Sequence, residues 1–312
     1  MKSVKTIFSL AAFCAFVTSA SALDIPTSFV GDLNNNNDGT GYGGVSYGYH
    51  IGTYEVTNSQ YVAFLNAKGS TDSNNLYSTS MSSWGISRAG SSGSYSYSVN
   101  TGFGDKPVNF VSFWDAARFS NWLTNGQGNG DTESGMYNLD GVTAPSNASV
   151  TRQLDFSSGQ NGVAIASEDE WYKAAYYKGG STTAGYWLYP TQSDPITTAD
   201  ANYGGSTVTD VGFYSGAASH YGTFDQGGNV WEWNDAITST SNRGLRGGSF
   251  FNGDSTLQSS FRNGSNPTNE GSDIGFRVSS LASIPEPATY TAIFGCLALA
   301  IAIVRRKGRG TL

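Results

Sequence analysis

The segment "GTFDQGGNVWEWNDA", residues 222–236, sets an aspartate, a glycine pair, two tryptophans and a glutamate in one short run. Such a run can be a catalytic strand, a metal-binding loop or a core strand, and its composition leaves all three open. Gly227 and Gly228 let the backbone curl, because a residue without Cβ enters left-handed conformations freely. The surroundings must decide.

Outward from there, both ends of the 312-residue chain have the form of addresses. Lys2 and Lys5, an apolar run over 7–17 and the small residues Ser19, Ala20, Ser21 and Ala22 predict a secretory signal over 1–22. At the other end, 288–304 is a run of 17 uncharged residues followed by Arg305, Arg306, Lys307 and Arg309. A helix needs roughly 17–25 residues to span a bilayer, and the basic cluster predicts a cytoplasmic tip with 23–283 outside the cytoplasm. Pro285-Glu286-Pro287, the apolar helix and the arginine-rich tip together resemble the PEP-CTERM sorting signal of residues 285–312. The resemblance implies handling by exosortase-type machinery and at least transient membrane attachment through the C-terminal helix. It also implies a place in the cell envelope, at the cell surface or in an extracellular matrix.

Setting the ends aside removes six bases (Lys2, Lys5 and the four of the tail) and one acid, Glu286, so the formal charge moves from −7 to −12 for residues 23–284. Such a surface argues against nucleic acid as the main partner, since phosphate contacts need clustered Lys and Arg. A polysaccharide, a protein or a cation fits better. Both cysteines, Cys14 and Cys296, lie in the ends, so residues 23–284 contain no thiol. Cysteine nucleophiles, thiolate metal sites and disulfides are therefore excluded there.

The 40 glycines, with abundant Tyr, Ser, Thr and Asn, predict short strands joined by long loops. Three helix starts stand out: Thr57-x-x-Gln60 before Tyr61, Phe64 and Leu65; Ser112-x-x-Asp115 before Phe119, Trp122 and Leu123; Ser167-x-x-Glu170 before Trp171, Ala174 and Ala175. Each pairs a capping box with an apolar face. Residues 69–105 and 124–161, rich in Ser, Gly and Asn, are expected to be surface loops.

Five blocks, "IGTYEVTNSQYVAFLNA" (51–67), "KPVNFVSFWDAARFSNWL" (106–123), "AIASEDEWYKAAYYKGG" (164–180), "YGTFDQGGNVWEWNDA" (221–236) and "RGLRGGSFFNG" with "SDIGFRVSS" (243–280), resemble in order those of the formylglycine-generating enzyme (sulfatase-modifying factor) family. The resemblance implies an irregular α+β domain over 23–284 with a C-type-lectin-like core, one small twisted antiparallel sheet and two flanking helices. It also implies oxidation of a substrate cysteine by copper held between two cysteines after the Gly-Gly-Ser of the last block. Behind Gly247-Gly248-Ser249 those positions fall near Asn252 and Leu257, which supply no thiolate for Cu(I). Copper is not expected, and no catalytic residue is assigned.

Other chemistries find little support. An iron facial triad needs two histidines and a carboxylate, but His50 and His220 stand 170 residues apart and no spacing suggests a third ligand. No GxSxG elbow occurs. In the family, the block holding the opening segment binds calcium, and the matching positions here are Asp225, Gly228, Val230 and Glu232. A second family site would use Asn202 and the Tyr203 carbonyl. Calcium takes six to eight oxygens, so carboxylates and carbonyls from one bent loop suit it. The structural alternative has Asp225 capping a turn, Glu232 bonding backbone amides, and Trp231 and Trp233 on opposite faces of a strand.

"DLNNNNDGTGYGG" begins like an EF-hand loop at Asn34, Asn36, Asp38 and Gly39, but Val45 stands in place of the closing glutamate. Asn147 and Asn263 fit the glycosylation sequon. Arg246, Arg262 and Arg277 are expected to form buried pairs with Asp235 or Asp273. The favoured function is an exported, surface- or matrix-associated, non-catalytic module for glycan or protein. The rival is a sulfatase-modifying oxidoreductase of the same family with an unrecognised site.

Overall fold

Three helices begin at the three capping boxes. The computed structural model, which describes residues 23–180 and 185–284, places α1 at Asn58–Lys68, α2 at Phe113–Thr124 and α3 at Glu168–Tyr176. Thr57 Oγ1 accepts from Gln60 N (3.3 Å) while Gln60 Oε1 accepts from Thr57 N (2.9 Å). Ser112 with Asp115 and Ser167 with Glu170 repeat the exchange. Each box satisfies first-turn donors that no helical carbonyl can reach. Helix α2 is buried from Phe113 to Leu123, so it is the central helix and its polar side chains need internal partners. Asn121 finds them: its Nδ2 donates to the Thr132 and Tyr137 carbonyls and its Oδ1 accepts from Tyr137 N.

The strands are short. In chain order they are β1 (Thr27–Val30), β2 (Tyr49–Gly52), β3 (Ile86–Ala89), β4 (Ser96–Val99), β5 (Val163–Ile165), β6 (Trp231–Ser239), β7 (Asn242–Arg246), β8 (Asn263–Ser265), β9 (Ile274–Phe276) and β10 (Val278–Ser280). One sheet is antiparallel with order β1-β2-β10-β5; the second runs β8-β7-β6-β9, with β3 and β4 apart as a hairpin. In the second sheet β6 and β9 are parallel, from Trp231 opposite Ile274 to Trp233 opposite Phe276. Only Arg277 separates β9 from β10, so the chain passes from one sheet to the other at that residue.

The lectin-like irregularity implied by the resemblance is present, but the detail is richer. Among the described residues there are three helices, two four-stranded sheets, one with a parallel pair, and a separate hairpin, where the resemblance implied two flanking helices and a small antiparallel sheet. The expected surface loops also need correction. Leu76, Met81, Ile86 and Tyr97 from 69–105, and Met136, Tyr137, Leu139 and Val150 from 124–161, are buried in the core beside Phe64, Phe119 and Trp233. Single apolar residues spaced through Ser/Gly-rich chain carry no periodic signal, yet each adds its area to the core. The described residues belong to one compact unit, Leu23–Glu286. Among them, no helix is long and apolar enough to cross a membrane. The signal over 1–22, the sorting segment over 285–312 and the span over 288–304 lie outside the described residues.

Candidate functional site

The opening segment folds as a tight turn feeding β6. Asp225, Gly228 and Asn229 have φ of 60°, 87° and 57°. A Cβ on Gly228 would stand 2.2 Å from the Asn202 carbonyl oxygen, so only glycine fits there. Asn202 is drawn to the turn from the chain before it. Its carbonyl accepts from Asn229 N (2.9 Å), and its Nδ2 donates to Asn229 Oδ1 (3.2 Å). Asn229 Nδ2 in turn donates to Glu55 Oε1 (3.0 Å), joining the turn to the segment between β2 and α1. Asp225 caps no turn of its own: its Oδ2 accepts from Gly212 N (2.5 Å) and pins a neighbouring loop.

Glu232 lies on β6 with no exposure, and Arg277 has none either. Arg277 donates from Nε to Oε2 (2.6 Å) and from Nη2 to Oε1 (2.7 Å), and Trp171 Nε1 donates to Oε2 (2.7 Å). The guanidinium also donates to the Gly52 carbonyl of β2 and to the Phe224 carbonyl. The residue at the passage between sheets thus ties both sheets and the turn together. Glu232 accepts side-chain donors here and not the expected backbone amides.

Glu55, Asp225 and Glu232 interact electrostatically around this one guanidinium. Burial and the neighbouring Asp225 push the Glu55 carboxyl well above the usual carboxylate range. Burial, with the like charge of Glu232, pushes Asp225 up to about 6 against the Gly212 N–H and Arg277. Ionised together, three carboxylates facing one cation carry an uncompensated negative charge.

The structure thus brings Asp225, Gly228, Val230 and Glu232 into one turn and strand, with Asn202 beside them. The donors are hard oxygens of the kind calcium takes. A carboxylate offers about four lone-pair sites, and Arg277 and Trp171 occupy three of those on Glu232, leaving one on Oε1. The residues fit a hard cation only if Asp225 and backbone carbonyls supply most of its shell. Among the described residues, no group of three His, Cys, Asp or Glu side chains converges as a ligand set.

The other candidates find internal uses. Arg246 and Arg262 pair with Glu168 at the start of α3 (2.8 and 2.7 Å), and Arg277 with Glu232. The expected acceptors do otherwise: Asp235 pairs with Arg152 (2.6 Å), and Asp273 accepts from Ser249 Oγ (3.2 Å). Three acids crowd the first turn of α3, where the helix dipole favours anions, and two of them, Glu168 and Glu170, draw arginines. Asp38 of the EF-hand-like run accepts from Gly39 N and the Tyr172 hydroxyl, so that run is a turn held by its own side chains. His50 lies tilted against Phe29, with ring centroids 5.3 Å apart, and His220 lies exposed beside Tyr221. Asn147 is buried, with Nδ2 on the Ser239 carbonyl and Oδ1 accepting from Arg243.

At the positions where the family's cysteines would fall, Asn252 Oδ1 accepts from Ser249 N and Oγ (3.1 and 2.6 Å). Leu257 is fully buried with Tyr189, Ile196 and Ala201. Sequence reasoning missed Glu55. Its signal was an acid inside the otherwise apolar "TYEV" run that enters α1.

Comparison with known proteins agrees with this architecture. Among solved structures, Treponema denticola variable protein 1 shares 22% identity with a TM-score of 0.53, covering 82% of this chain and 95% of its own. CarF shares 22% identity with a TM-score of 0.50, covering 83% and 96%. Likeness at that identity shows the fold alone. No curated protein matches the chain. The family model of the sulfatase-modifying factor enzyme 1-like domain matches residues 44–281, from before β2 to the end of β10, and the chain belongs to that family.

Proposed function

We propose that this chain is an exported member of the family that has kept the scaffold and given up the copper chemistry, and that it works as a binding module for glycan or protein. The observation that carries this reading is the content of the two positions matching the family's copper ligands. Asn252 is committed to Ser249, and Leu257 completes an apolar cluster. An amide and an isobutyl group cannot stand in for thiolates, and a fold does not carry a function without its site. The absence of cysteine from 23–284 supports it further, because no alternative thiol pair can be recruited.

Within this reading, the sorting segment directs the protein through exosortase-type machinery to the cell surface or matrix. Calcium is held at the turn by Asp225 and the carbonyls of Gly228 and Val230, with Glu232 offering its remaining lone pair and Asn202 at the margin. The ion would brace the turn between the two sheets and perform no redox step. A glycan array and a panel of surface proteins test the module. Saturable binding without turnover is expected, and copper-dependent consumption of oxygen with a thiol peptide would overturn the reading.

A further inference from the structure

A small cavity lies at the start of α2 and shares no lining residue with the turn at 225–230. It measures about 190 Å3, and Asn75, Trp114, Asp115, Thr143, Thr268 and Glu270 contribute to its wall. Asp115 is 2% exposed, and its two oxygens have different uses. Oδ2 accepts from Ser112 N (2.8 Å) and Ser112 Oγ (2.6 Å), closing the capping box. Among the described residues Oδ1 has no hydrogen-bond partner, yet unlike Trp114 Nε1 it is not sealed from solvent. The exposure left to Asp115 therefore reaches the cavity through Oδ1.

Burial lifts Asp115 to about 7, against the two Ser112 donors and with the Glu270 charge adding to the rise. Near neutral pH a large share of molecules carries the protonated acid. Because Oδ2 already accepts twice, the proton sits on Oδ1, where the group can give one hydrogen bond and accept another. A hydroxyl partner asks for both. Glu270 is half-buried and also raised by burial, against the Ser78 hydroxyl.

We propose that this cavity binds a single pyranose unit of a glycan, with Asp115 Oδ1 bonded to a ring hydroxyl and Glu270, Asn75, Thr143 and Thr268 meeting the hydroxyls beside it. The lining argues against other classes of ligand. It includes no Lys, Arg or His, so a phosphate or sulfate finds no cation. Trp114 and Ala144 are its apolar members, too few to hold a lipid chain. Acids that burial holds toward the neutral form compete poorly for a divalent ion, which needs them deprotonated. The volume is below the roughly 300–1,000 Å3 of drug-sized sites, which limits the cavity to one ring at a time. The inference rests on the binding-module reading and says where that module grips a sugar.

NMR titration of the purified, isotope-labelled protein tests it, using the methyl pyranosides of glucose, galactose, mannose and N-acetylglucosamine. Tetrahydropyran serves as a ring without hydroxyls, and calcium chloride as the competing ion. At least one glycoside should move the backbone amides of Asn75, Thr143 and Thr268 saturably, and tetrahydropyran should leave them in place. Ala144→Trp, at an exposed position of the wall, should fill the cavity and abolish the shifts. Asp115→Asn keeps an acceptor for Ser112 N but turns an amide toward the sugar, and should weaken the glycoside by about threefold to tenfold, the worth of one neutral hydrogen bond. No shift with any glycoside, tetrahydropyran binding as tightly, glycoside affinity unmoved by Ala144→Trp, or calcium moving the same amides in the sugar's place would each overturn the proposal. Should Asp115→Asn fail to fold, Ala144→Trp decides alone. Glycan binding that survives Ala144→Trp would sink this cavity and leave the module standing, whereas copper-dependent turnover would sink the module and leave the glycoside shifts intact.

Discussion

Substituting Glu232 with glutamine should be among the most damaging single changes in the domain, because it removes one charge without changing shape. In the native protein Arg277 and Glu232 are both fully buried and joined by two hydrogen bonds of 2.6 and 2.7 Å. Glu232→Gln removes the charge bonded to the guanidinium, leaves it one amide oxygen and the carbonyls of Gly52, Thr53 and Phe224 as acceptors, and turns an amide N–H toward at least one of the Arg277 and Trp171 donors. Breaking one side of a buried pair costs about 3–5 kcal/mol, a large share of the roughly 5–15 kcal/mol that holds a domain together. With a urea m-value near 3 kcal/mol/M, the midpoint should fall by about 1–2 M. The double variant Glu232→Leu/Arg277→Met should be more stable than Glu232→Gln, since it leaves no buried guanidinium without its bonded carboxylate. A loss under about 1 kcal/mol for Glu232→Gln, the level of an exposed pair, would refute the claim that this bond joins the two sheets.

Four further outcomes are expected. Ser112→Ala should cost about 1–2 kcal/mol in denaturant melts, because it removes the cap of the central helix. Gly228→Ala should destabilise by at least about 2 kcal/mol, since a Cβ would meet the Asn202 backbone at 2.2 Å in a left-handed conformation. Asp115 is raised by burial from 3.8 to about 7, so the stability it lends is complete below the unfolded value and is lost as pH rises through 7. Asp115→Asn should therefore gain on the wild type between pH 4 and 7, by an amount on the order of a few kcal/mol at about 1.4 per pKa unit. Calcium in hundredfold excess over its dissociation constant should add about 2.7 kcal/mol to stability, and Asp225→Asn should remove that gain while keeping the fold.

What the sequence disclosed and what it hid follow from how far each signal reaches along the chain. The capping boxes at Thr57, Ser112 and Ser167 are local, with donor and acceptor three residues apart, and all three open helices in the structure. Val163–Ile165 and Val278–Ser280 are three-residue strands whose pairing spans more than a hundred positions, and no local pattern announces it. The same distance hid the ion pairs. Arg246 and Arg262 were matched to the nearby acids Asp235 and Asp273, but they reach back to Glu168, where the start of α3 gathers three carboxylates. Glu170 of that turn would be raised by burial, but Arg152, Ser167 N–H and Ser279 outweigh it and hold it down at about 2. The turn at 225–230 was legible as a bend from its glycines. That Asn202 and Glu55 join it through Asn229 depends on tertiary closure and was not.

The most direct test of the account offers the purified protein a cysteine-containing sulfatase peptide with Cu(I) and oxygen, and follows aldehyde formation by mass spectrometry alongside copper affinity. A scaffold with Asn252 and Leu257 at the positions matching the copper ligands should yield unmodified peptide and no tight copper binding. Formylglycine in the peptide, produced only when copper is present, would contradict it.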